Sequence, residues 1–126
     1  MKQVVISIIC VAILVIGGIA EIKYLNKSSS YLASDIEYIK NTINNDNYEM
    51  AKSQLLNTKN NWEDQKKLWH IFVNNEEIED IDSSFVELEE YINNQMKEES
   101  LVEIAKLKNY IIYSADLQKI GTETII

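Results

Sequence analysis

The chain has 126 residues and a formal charge of −8, with no proline, three glycines, one cysteine and no arginine, all twelve of its basic residues being lysine. That length allows one domain at most once a targeting segment is set aside, and the scarcity of turn-formers and helix-breakers predicts an all-α fold. Without an arginine fork or a basic stripe the chain is not built to bind nucleic acid, and a lone Cys10 gives neither a disulfide framework nor a metal knuckle.

Seventeen uncharged residues, VVISIICVAILVIGGIA, run from Val4 to Ala20 behind Met1-Lys2-Gln3. At about 1.5 Å per residue this is the short end of what crosses a hydrocarbon core of about 30 Å. Continuation through Ile22 and Leu25 would let Glu21 and Lys23 reach the interface. The expectation is an N-terminal transmembrane anchor over residues 1–24. The competing expectation is a signal peptide cleaved after Ala20, where Gly18 and Ala20 supply the small residues a signal peptidase reads. Lysine counting leaves the orientation open, with Lys2 before the span and Lys23 and Lys27 after it. The short stretch ahead of the span fits a single-pass signal-anchor that places the rest of the chain outside the cytoplasm.

A helical domain is expected over 25–118. Ile22, Leu25, Ser29, Leu32, Ile36, Ile39 and Ile43 alternate steps of three and four, a coiled-coil-like stripe that carries a first helix to about Asn44. The same stripe would also serve a homo-oligomer. The run Asn44-Asn45-Asp46-Asn47 makes a turn. A second helix follows from about Asn47 to Val73, with Tyr48, Leu55, Trp62 and Trp69 at seven-residue steps, flanked by Ala51, Leu56, Leu68 and Phe72. Asn60-Asn61 is a place where it would break.

After Asn74-Asn75, a third helix carries Ile78, Ile81, Phe85, Leu88, Ile92 and Met96. Ser100 and Glu103 have the spacing of a capping box for a fourth, whose apolar face reads Leu101, Ile104, Ala105, Leu107, Ile111, Ile112, Ala115 and Leu117. Residues 119–126 lack a helical period and read as a C-terminal tail. Short links predict two helical hairpins stacked as an antiparallel four-helix bundle; a tetratricopeptide-like solenoid is disfavoured, because no repeat of about 34 residues stands out.

The stretch from NYEMAKSQLL through WEDQKKLWHIFVNNEEIEDIDSSFVELEEYI resembles an uncharacterised family of small bacterial proteins, found mainly in anaerobic spore-formers and catalogued as a domain of unknown function. The resemblance rests on the paired tryptophans, the acidic segment after them and the N-terminal span. It implies a membrane location, a helical remainder and no known activity.

Chemistry-bearing residues are few. Trp62 and Trp69 could stack on a ligand, but their alignment with Leu55 and Tyr48 predicts core anchors instead. His70 is the only histidine, which excludes a histidine-dependent triad, and its neighbours one turn away are not metal ligands. Glu76 to Glu90 holds eight acids and no lysine, a solvated face that would at most gather divalent cations weakly. It fails as a calcium loop because Phe85 and Tyr91 stand where glycine and glutamate belong. No catalytic, cofactor-binding or metal residue is assigned. The expected role is a non-enzymatic membrane-tethered module that contacts an envelope or membrane protein; a small-ligand or cation-sensing bundle is the alternative.

Overall fold

A computed structural model describes the backbone of residues 1–125, and the side chains of all of these except residues 21, 22 and 117–125. Four helices account for it: α1 (Lys2–Asn44), α2 (Tyr48–Phe72), α3 (Asn75–Asn93) and α4 (Lys97–Ile125). They form a helical bundle in which α1 packs against α2 and α4, and α3 packs against the same two helices.

The first helix continues without a break from the apolar run into the bundle. Its N-terminal part touches nothing: Val4, Ile8, Leu14 and Ile16 are all more than half exposed. From Leu25 onward the expected stripe is buried, with Leu32, Ile36, Ile39 and Ile43 fully covered and Ser29 filling the gap between Leu25 and Leu32. The expected place of Ile22 in that stripe lies outside the described side chains, as does that of Leu117.

Two of the three connections share one backbone design. After α1 the N–H of Asp46 donates to the carbonyl of Ile43 and that of Asn47 to Thr42; after α3 Gln95 donates to Ile92 and Met96 to Tyr91. This is the Schellman pattern, with a left-handed residue closing the helix. Asp46 (φ 57°) and Gln95 (φ 54°) occupy that position, which glycine usually takes. The second connection is different: Val73 and Asn74 run extended between α2 and α3. Asn47 caps α2 by accepting from the N–H of Met50.

The matching turns belong to matching helix pairs. Ile43 and Ile92 lie 49 positions apart, and the same offset maps Leu32 onto Ile81, Ile36 onto Phe85, Ile39 onto Leu88, Ala51 onto Ser100, Leu55 onto Ile104 and Trp62 onto Ile111, every one of them buried. α1–α2 and α3–α4 therefore share one burial register. The repeat is longer than a solenoid unit and is carried by position rather than identity.

Several finer expectations are corrected. Asn60-Asn61 does not interrupt α2, because asparagine lowers helix propensity without removing a hydrogen-bond donor. Helix α4 begins at Lys97, so Ser100 is interior and wholly buried rather than a cap, and Glu103 turns inward instead of reaching back. The Schellman turn ends at Met96 and fixes that earlier start. Leu56, Leu68, Ala105 and Ile112 face outward, since each helix's buried stripe is narrower than its apolar composition; Met96 is exposed because α3 ends at Asn93 and leaves it in the turn. The backbone of α4 stays helical to Ile125, over residues that read as a tail; the single Gly121 there costs only about 1 kcal/mol in a helix.

The adjacent pair Phe85 (1% exposed) and Val86 (59% exposed) tests this register. Phe85→Ala is expected to destabilise by about 3–5 kcal/mol in denaturant unfolding. Val86→Ala is expected to change stability by no more than about 0.5 kcal/mol.

Candidate functional site

Aromatic and polar side chains gather along α2, where it faces α1 on one side and α3 on the other. Trp62 and Trp69 project from one face of α2 two turns apart, and their rings meet edge-to-face at 5.2 Å between centroids. Phe85 of α3 stacks beside Trp62 at 6.4 Å. Both indoles are wholly covered. They are core anchors and not a platform open to a ligand.

Each buried indole N–H then needs an acceptor, and the two find theirs on different helices. Trp69 Nε1 donates to Ser28 Oγ of α1 at 2.8 Å, and Ser28 in turn donates to Gln65 Oε1 of α2. Trp62 Nε1 donates to Asp82 Oδ1 of α3 at 2.7 Å. Lys66 lies 3.3 Å from Asp82 Oδ2 and 2.9 Å from Glu63, and these two carboxylates favour its charged form against partial burial. Trp69 thus ties α2 to α1, whereas Trp62 ties α2 to α3.

A second polar contact joins α3 to α4. Ser84 Oγ donates to Glu103 Oε1 at 2.8 Å, both residues being buried. Burial pushes the Glu103 carboxyl above its ordinary 4.5, against the lowering effects of the Ser84 bond and of Lys106. Sequence reasoning misses this pair because its members come from different helices, and Glu103 also fits a capping box. On the outside, Lys108 pairs with Glu37 at 3.3 Å, joining α4 to α1, and Lys97 pairs with Asp46 at 3.0 Å, joining α4 to the turn after α1. Lys108 holds the Glu37 carboxyl below its usual range.

The other singled-out residues stay apart. His70 is exposed, and its Nδ1 lies 3.1 Å from Asn75 Oδ1. The acidic run lies along α3, with Glu76, Glu79, Asp80, Glu87, Glu89 and Glu90 exposed. Among the described residues no three acidic, histidine or cysteine side chains converge to hold a metal ion. A surface cavity of about 270 Å³ lies beside the Ser28 cluster, lined by Tyr24, Lys27, Tyr31 and Gln65.

A family model described as a domain of unknown function (DUF4363) matches residues 19–125. No curated protein and no solved structure matches the chain.

The two polar ties have separable outcomes. Asp82→Ala strands the covered indole N–H of Trp62 and is expected to cost about 1–3 kcal/mol in unfolding free energy. Asp82→Asn keeps an acceptor, loses only a part-exposed ion pair, and is expected to cost less than about 1 kcal/mol. For Glu103 the folded-state carboxyl titrates above its unfolded value. Its unfavourable contribution is therefore absent below the unfolded value, grows as pH rises through the folded one, and is complete above it. Glu103→Gln keeps the Ser84 bond and is expected to raise the thermal midpoint more at neutral than at acid pH.

Proposed function

The chain belongs to the DUF4363 family, and from that premise we propose that it is a membrane-anchored, non-enzymatic helical module that acts by contacting another membrane or envelope protein. The observation that carries this reading is α1. One helix presents an apolar run with no buried side chain and then, without a joint, supplies a central stripe of the core. Large exposed apolar surfaces on a folded chain mark contact with lipid or protein. A run of this length and composition suits the bilayer.

In this reading the remainder folds as two antiparallel hairpins, and the bundle stands outside the cytoplasm on an uncleaved anchor. Support for the antiparallel arrangement comes from the cross-helix pairs, such as Lys97 with Asp46 at one level and Lys108 with Glu37 at another. The sole histidine, exposed and bonded to an asparagine, is a poor general base for a hydrolytic role. Partner contact falls naturally on the outer face of α1, where Tyr31 and Tyr38, seven residues apart, are about half exposed. That face would equally serve a second copy of the chain.

Fractionation with intact mass tests the anchor, and protease treatment of protoplasts tests the orientation. The reading predicts full-length chain in the membrane fraction and digestion of the bundle while protoplasts are intact. Recovery of a soluble chain lacking residues 1–20 contradicts the anchor. Digestion only after lysis reverses the orientation.

A further inference from the structure

The connection between α2 and α3 lies at the end of the bundle from which the apolar part of α1 emerges. Two contacts fix its height: Trp69 bonds Ser28, and the Phe72 ring lies 6.4 Å from that of Tyr24. The last turn of α2 is therefore level with residues 24–28 of α1. Tyr24 is four residues past Ala20, or about 6 Å along the helix.

Bilayer dimensions give that height a meaning. Val4 to Ala20 covers about 25 Å at 1.5 Å per residue, against a hydrocarbon core of about 30 Å with about 5–7 Å of headgroups on each side. The anchor is thus a few ångströms short, and a short span draws flanking structure toward the lipid. Ile71 is 69% exposed at this level, and Leu68, one turn earlier on α2, is 47% exposed. Among the described residues neither is covered, although both are large aliphatic groups beside the origin of the anchor. Exposed charges at this end have both signs, Lys23, Lys27 and Lys67 with Glu76. An anionic surface is not what this end selects; an apolar side chain meeting the headgroup–hydrocarbon boundary is.

We propose that the α2–α3 end of the bundle docks on the lipid surface from which α1 rises, with Ile71 entering the headgroup–hydrocarbon boundary as a second, non-spanning membrane contact. This rests on the membrane-anchor reading above. Two points of contact hold the bundle at a fixed angle to the bilayer, where α1 alone would leave it free to tilt.

The test uses the full chain with Cys10→Ser in phosphatidylcholine vesicles, carrying either Ile71→Cys or Leu56→Cys labelled with a polarity-sensitive fluorophore. Both positions are exposed on α2, and Leu56 lies about 22 Å farther from the anchor. The expected result is blue-shifted emission at position 71 that is quenched by lipids bearing a shallow nitroxide, with aqueous, unquenched emission at position 56. If the protein floats with the vesicles and the two positions respond alike, docking is overturned and the anchor stands. If the protein does not float, both readings fall.

Discussion

The constraint on which the structure depends is the continuity of α1. The helix keeps one hydrogen-bond ladder from Lys2 to Asn44 while its surroundings change completely. Up to Ala20 its apolar side chains have no protein around them, and from Leu25 its stripe is covered by α2 and α4. No proline or left-handed residue interrupts the crossing. Any orientation imposed on the apolar part is therefore passed directly to the bundle. Among the described side chains, Leu25 is the first that the protein buries fully.

The two helix pairs, α1–α2 and α3–α4, share a register, and their differences locate what is particular to each. Ala51 in the first corresponds to Ser100 in the second, and Trp62 to Ile111. The indoles therefore belong to the first pair alone. Through Ser28 and Asp82 they bind α2 to both of its neighbours. A buried indole whose N–H is satisfied on another helix fixes position as well as filling volume. The two ties lock α2 against α1 and α3.

Much of this was legible in the sequence for a definite reason. Three-four spacing reports a helix face directly, so Leu32, Ile36, Ile39, Ile81, Leu88 and Ile92 were placed in the core before any packing was known. Asparagine pairs mark the first two connections, at Asn44-Asn45 and Asn74-Asn75, while Asn60-Asn61 lies inside an unbroken α2. What was not legible depends on a second helix. Whether Leu68 or Ile112 lies inside is decided by how wide a strip its neighbours cover, and Glu103 takes its role from Ser84, 19 residues away. The left-handed turn at Gln95 was hidden because nothing in glutamine announces it, and once it is known the start of α4 at Lys97 follows. The 49-residue correspondence escaped notice because it resides in burial and not in residue identity.

The most direct test of a single helix with two environments is hydrogen exchange measured by mass spectrometry on the full chain in lipid bilayers. The account predicts slow exchange from the apolar run through the junction at residues 20–28 and onward to Ile43, with no fast-exchanging gap between the two zones. Fast exchange confined to that junction, between protected stretches on either side, would show a hinge where a continuous rod is required, and the account would be wrong.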